Sequence, residues 1–179
     1  MSTRSYLCKE LPDGSYQGIY CHCDGYLTYN GAMLLDHYTT IEKVNALLEL
    51  GDISTLREKV APDPSLPHSF GYAESQEDVT VAYARDRGER KREARKITLE
   101  DAEKSDCDYM YVFGKDGRWR YYDLYMGESE LRDVESDLND EYERYGFPRP
   151  EGFYGFFTQS EIDRIRTEQE KMQKSEAVM

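Results

Sequence analysis

The chain has 179 residues, enough for one domain, and a net charge of -13 from 36 acidic and 23 basic residues. That balance argues against a partner that is itself nucleic acid, and the chain contains no apolar run approaching the ~20 residues a membrane-spanning helix needs. With 16 Tyr and 6 Phe it still has the apolar mass for a modest core, because tyrosine buries its ring while its hydroxyl stays wet.

Residues 6–11 read as a strand, closed by the turn Pro12-Asp13-Gly14-Ser15, with a second strand over 16–23. Together they predict an antiparallel hairpin in which Gly18 marks a bulge or a close backbone approach. Asp24 and Gly25 end the second strand, and residues 26–31 read as a loop before a short helix at 32–37. Thr39 with Glu42 three residues on predicts an N-capped helix whose inward face is Ile41, Val44, Leu47 and Leu48, with Gly51 at its end.

Residues 52–78 carry Pro62, Pro64 and Pro67 and read as a long loop with one helical turn at 54–58. A β-branched strand follows at 79–84. Residues 85–96 then form the net-basic run of the chain, whose three acids and solvated character suit a connection better than a phosphate site. Thr98 and Asp101 open a short helix to about residue 104. Residues 109–113 and 119–124, joined through Asp116-Gly117, predict a second hairpin with Tyr109, Tyr111, Phe113, Trp119 and Tyr121 on one face.

Residues 128–145 read as an acidic amphipathic helix with Leu131, Val134, Leu138, Tyr142 and Tyr145 on one stripe. An aromatic loop at 152–157 follows, and Thr158 with Glu161 caps a last helix to about residue 173. The expected fold is α+β: an antiparallel sheet of about five strands with helices packed on one face, plus a C-terminal helical appendage. The expected organisation is a core over 1–126, a packed acidic helix, aromatic loop and terminal helix over 127–173, and a tail over 174–179.

Three groups of residues are candidates for function. Cys21 and Cys23 share a strand face and could hold a metal with His37 or Cys107, but no further ligand has diagnostic spacing, so the expectation is free thiols and no cofactor. His22, Asp24 and His37 could support acid–base chemistry in a small hydrolase or metal-dependent enzyme. No nucleophile or phosphate-loop motif accompanies them, and a structural role in the turn at 24–31 is the stronger expectation.

The third group is the acidic helix. Glu128, Glu130, Asp133, Glu135, Asp137, Asp140, Glu141 and Glu143 present carboxylates over several turns, a row that can imitate DNA phosphates against a basic protein surface. Phe153, Tyr154, Phe156 and Phe157 beside it would supply interface anchors. The expected partner is a protein with a basic surface, with no direct nucleic-acid or membrane contact. A homodimer through a sheet edge or the terminal helix is a further arrangement.

The run Gly18-Ile19-Tyr20-Cys21-His22, then Asp24-Gly25-Tyr26, Leu34-Leu35, His37-Tyr38, Glu42-Lys43-Val44 and Gly51-Asp52-Ile53-Ser54 resembles a family of small proteins of bacteria, bacteriophages and mobile elements. A weaker echo lies at residues 79–88. The family pattern carries tryptophan where this chain has Cys23, which weighs against a Cys21/Cys23 metal pair. The resemblance implies no reaction and no catalytic residue. It implies a phage or mobile-element setting in a bacterial host, in which small acidic proteins often inhibit defence machinery; the start Met1-Ser2-Thr3-Arg4-Ser5-Tyr6, without the apolar core of a signal peptide, makes the cytoplasm the expected compartment. The function expected on these grounds is a non-enzymatic, anti-defence binding protein.

Overall fold

The computed structural model describes residues 2–127 and 130–178. Glu128, at the start of the predicted acidic helix, and Met179, in the predicted tail, lie outside the described residues. The strands are β1 (Ser5–Glu10), β2 (Tyr16–Cys21), β3 (Ile53–Thr55), β4 (Val81–Ala82), β5 (Arg95–Lys96), β6 (Tyr109–Phe113), β7 (Trp119–Asp123) and β8 (Arg132–Asp133). The helices are α1 (Ala32–His37), α2 (Ile41–Leu48), α3 (Tyr83–Arg87), α4 (Leu99–Glu103), α5 (Val134–Glu143) and α6 (Gln159–Ala177), and a π-helical turn, Leu27–Gly31, leads into α1.

The expected five-stranded antiparallel sheet is corrected to an eight-stranded mixed sheet in the order β4-β3-β2-β1-β6-β7-β8, with β5 also pairing with β2. Both predicted hairpins form, β1 with β2 and β6 with β7. They lie side by side through their first strands, and that contact is parallel: Ser5 faces Tyr109 and Lys9 faces Phe113. Local pattern cannot specify this adjacency, because it joins residues about a hundred apart. The strands that went unpredicted, β3, β5 and β8, are two or three residues long. None has room for a period-2 pattern, and each exists because a longer strand offers it an edge. Residues 54–58, read as a helical turn, begin instead with the end of β3. The strand predicted over 79–84 shrinks to β4, and α3 takes over at Tyr83.

One face of the sheet carries the main core. Leu7, Ile19, Cys21, Ile53, Tyr111, Phe113, Trp119 and Tyr121 pack there beneath Met33, Leu34 and Tyr38 of the α1 region and Val44 and Leu47 of α2. Tyr109 packs against the same cluster, so the five aromatics of the second hairpin do share a face. Their polar atoms are satisfied inside: Tyr111 donates to the Gly25 carbonyl at 2.7 Å and the Trp119 indole to the Tyr38 carbonyl at 2.8 Å.

The helices do not all lie on that face, a second correction. Ala102 of α4, with Ile97, covers Cys8, Met110, Val112 and Tyr122 on the opposite side. Strand alternation makes this necessary, since Tyr6, Cys8, Met110 and Val112 point away from the main core and need a cover of their own.

The acidic helix and the aromatic loop are no appendage, whereas α6 buries only Ile162 and its later turns are exposed. The C-terminal segment adds β8 to the sheet edge and places Val134, Leu138, Tyr142, Phe147 and Ile162 in the main core. The acidic helix starts later than its predicted residue 128 because Asp133 serves as N-cap, accepting from the Ser136 N–H. Leu131, expected on the apolar stripe, therefore precedes the helix and is exposed. The capping boxes at Thr98/Asp101 and Thr158/Glu161 form as expected. The cap of α2 is Thr40 rather than Thr39. No helix of the described residues is long and apolar enough to cross a membrane.

Candidate functional site

The three residues His22, Asp24 and His37 sit in separate hydrogen-bond systems. His22 follows β2 with its backbone N–H on the Ile53 carbonyl, and its Nδ1 lies 2.9 Å from the Tyr20 hydroxyl. Tyr20 points away from the main core, toward Tyr6. Asp24, read as the end of the second strand, lies beyond the alternation of β2, which stops at Cys21. Asp24 adopts φ 55, a left-handed conformation that turns the chain. Its carboxylate accepts from the Tyr26 hydroxyl at 3.3 Å, and its carbonyl accepts from the Asn30 N–H. Asp24 thus ties down the turn that leads into the π-helical segment, whereas His22, expected to help fix the same turn, bonds Tyr20 and the Ile53 carbonyl instead.

His37, at the end of α1, belongs to an aromatic clasp that holds the C-terminal segment. The Tyr154 hydroxyl donates to Asp36 Oδ2 at 2.9 Å and accepts from His37 Nε2 at 2.6 Å. Arg149 donates to Asp36 Oδ1 and to the Phe153 carbonyl. Tyr154 packs edge-on against Tyr29, Phe156 stacks on Tyr26 at 4.6 Å, and Gly155 N–H bonds the Thr28 carbonyl. Phe153 stacks on Phe157 at 4.0 Å, and Phe157 meets Tyr142, Tyr145 and Phe147 edge-on. Of the four predicted aromatic contact residues, Phe153, Tyr154 and Phe157 are thus committed to this clasp, while Phe156 keeps a face open and is 63% exposed.

The phenols and buried thiols around these residues are held in their protonated forms. Burial pushes the phenols of Tyr20, Tyr26 and Tyr29 up to about 12, so they stay protonated. The Cys21 thiol is pushed to about 12 by burial, against hydrogen bonds from Asn30 and the backbone, and Cys107 to about 11 by burial. A nucleophile or general base needs the opposite shift. Among the described residues no three His, Cys, Asp or Glu side chains are grouped to hold a metal ion. Cys21 Sγ instead contacts the Cys23 carbonyl and the Asn30 amide. Treatment of the native protein with iodoacetamide at about pH 8 is therefore expected to alkylate the half-buried Cys23 first and leave Cys8, Cys21 and Cys107 unmodified. Peptide mass spectrometry reads this, and equal labelling of Cys21 and Cys23 would contradict it.

The structure also assembles a group that sequence reading passed over. His68, in the long loop, and Asp86, in α3, are joined at 3.3 Å with side chains only 5% and 3% exposed. Asp86 also takes Arg85 and the Ala82 N–H. Burial opposes its ionisation, but these donors outweigh burial and hold its carboxyl below the usual range. His68 Nδ1 accepts from the Gln76 N–H at 3.0 Å. Both ring nitrogens are spent, so the pair locks the loop and has no nitrogen left for a substrate. Arg57 assists by donating to the Gln76 and Val79 carbonyls. The available signal was a histidine within a proline-rich loop and the sequence Arg85-Asp86-Arg87, but nothing local connects them.

On the acidic helix the predicted carboxylates divide. Asp133 is the N-cap and pairs with Arg118 at 2.7 Å; Asp137 pairs with Arg132 and accepts from the Tyr121 hydroxyl, each at 2.7 Å. Glu141 is paired with Arg144. Glu130, Glu135, Asp140 and Glu143 remain exposed. The helix that displays Glu135, Asp140 and Glu143 is anchored by Val134, Leu138 and Tyr142, so these three carboxylates stand on a fixed support, while Glu130 lies just before it. Comparison with protein-family models, with curated proteins and with solved structures finds no match for this chain.

Proposed function

We propose that the protein is a non-enzymatic acidic binding protein that occupies a basic surface on another protein. The setting suggested by its sequence resemblance is a bacteriophage or mobile element, with a host nucleic-acid-targeting defence protein as the partner. One observation carries the reading. The carboxylates of Glu130, Glu135, Asp140 and Glu143 are exposed on and just before a helix whose other side is built into the core. Rigid display matters because a carboxylate row held in place loses little entropy when it meets a complementary cationic groove. Phe156 supplies an exposed aromatic contact in the same C-terminal segment. The separation of His22, Asp24 and His37 into three satisfied systems supports binding over the hydrolase alternative.

The test is capture from a bacterial host lysate at low salt, followed by competition with a variant carrying Glu130→Lys, Glu135→Lys and Asp140→Lys. The wild-type chain is expected to retain a partner with a basic surface and to lose it as salt rises. The triple variant is expected to bind at least about tenfold more weakly, as like charges now meet. All three sites are exposed, so thermal stability should change little. A partner retained equally by both proteins would remove the acidic row from the mechanism.

A further inference from the structure

The two hairpins create a feature that neither contains alone. β1 and β6 are parallel neighbours, so the turn after β1 and the turn after β6 leave the same end of the sheet. The β1 turn leads to β2 on one side and the β6 turn leads to β7 on the other. The chain therefore diverges outside the carboxyl ends of two adjacent parallel strands, the arrangement that opens a crevice in parallel sheets. Here that crevice is a groove of about 760 Å3, closed on its third side by the start of α2. Its size lies in the range of small-molecule sites.

The lining has an apolar part and a cationic part. Leu11, Pro12, Ile41 and Phe113 supply apolar surface, and Ile41 stands 42% exposed at the first position of α2, where it has no core to enter. Lys9 runs along the wall to the edge of the adjoining cavity, where its ammonium donates to the neutral Asn45 amide oxygen at 2.7 Å, the one side-chain partner it has among the described residues. The two acids of the groove lining, Asp116 and Glu10, are already engaged. Asp116 gives both oxygens to Arg120, and Glu10 accepts the Lys115 N–H and lies 3.9 Å from that residue's ammonium. The two cations and two anions of the lining balance, and with Glu10 and Asp116 engaged, Lys9 is the lining cation without a carboxylate partner among the described residues. The amino end of α2 adds to the same sign.

We propose that this groove binds a small organic anion with an apolar body, the body lying on Ile41 and Phe113 and the anionic group meeting Lys9. The acidic helix contributes no residue to the groove lining, so this site and the proposed protein-binding surface stand or fall separately.

The probe is anilinonaphthalene sulfonate, an aromatic anion, titrated into the full-length chain and followed by fluorescence and calorimetry. Its neutral counterpart phenylnaphthylamine and inorganic phosphate serve as body and head alone. Saturable binding of the sulfonate at one site per chain is expected, with phenylnaphthylamine at least about fivefold weaker and phosphate showing no saturation. Lys9→Ala is expected to weaken sulfonate binding about fivefold, and Ile41→Asp to abolish the saturable phase, since it puts a carboxylate where the body lies. Circular dichroism melts confirm that both variants are folded. Absence of saturable binding, or an affinity unchanged in both variants, would overturn the site. Equal affinity for the charged and neutral probes would overturn its assignment to an anion.

Discussion

Replacing Asp52 with alanine is expected to cost about 3 kcal/mol and to lower the midpoint of thermal unfolding by roughly 6–12 °C in a domain of this size. The reason lies in how β2 is paired. Its outer edge is shared, with Gln17 and Gly18 facing β5 and Cys21 facing β3. Tyr20 falls in the gap between them, and its N–H would be left without a strand partner. Asp52 Oδ1 accepts it at 2.9 Å. The same carboxylate pairs with Arg95 at 2.7 Å and Arg92 at 3.5 Å, and it is 6% exposed.

Gly51 makes this placement possible. It sits at φ 71, and a Cβ there would lie 2.5 Å from the Arg92 carbonyl oxygen. Removing the carboxylate leaves a half-buried N–H and an unpaired arginine, while the exposed Arg92 can rehydrate. Arg92→Ala is accordingly expected to change stability by less than about 1 kcal/mol. If Asp52→Ala and Arg92→Ala melted together, the carboxylate would not be the bridge between β3 and β5. Thermal melts by circular dichroism decide between these outcomes.

Gly18→Val is expected to be at least as damaging, at about 3 kcal/mol or more, and to give little soluble folded protein. A Cβ at Gly18 would lie 2.4 Å from Cys8 Sγ and 2.4 Å from the Leu7 carbonyl oxygen. Cys8 is the direct cross-strand partner of Gly18 and is fully buried. The thiol could be removed by a second substitution, but the carbonyl belongs to the backbone of β1, which is paired on both sides. Cys8→Ala in the Gly18→Ala background should therefore recover only part of the lost stability. Full recovery would mean that the thiol alone excluded the side chain. Expression yield and urea midpoints of the single and double variants read this directly.

The close approach at Gly18 was legible before any coordinates, because a glycine inside a strand run has few other uses. The two hairpins were legible for the same kind of reason. Pro12-Asp13-Gly14-Ser15 and Asp116-Gly117 are turn chemistry that acts over four residues, and the strands they join are long enough to show their pattern. The apolar stripe of α5 and the capping boxes at Thr98 and Thr158 are likewise local.

The candidate site was less legible. Asp24 was legible as the end of the strand, but not the left-handed backbone that turns its carboxylate to Tyr26 and its carbonyl to Asn30. His37 gained its partner from Tyr154, more than a hundred residues away. The pairing of His68 with Asp86 depends on how a long loop folds back, which composition does not describe.

By itself the sequence determined those features whose physics acts within a few residues: hairpin turns, the capping boxes at Thr98 and Thr158, the buried positions Val44, Leu47 and Leu48 of α2 and Val134, Leu138 and Tyr142 of α5 (though not Ile41 or Leu131, which are exposed), the aromatic face of the second hairpin and the charge of the chain. Only the tertiary structure decided the parallel seam between β1 and β6, the short strands β3, β5 and β8, the cover on the second face and the commitment of Asp133, Asp137 and Tyr154 to internal contacts. Each of these depends on an edge, a surface or a charge supplied by a distant part of the chain. A strand of two residues has no propensity worth reading until a neighbour offers it hydrogen bonds. A carboxylate is a contact surface or a structural ion pair according to whether an arginine has been folded beside it.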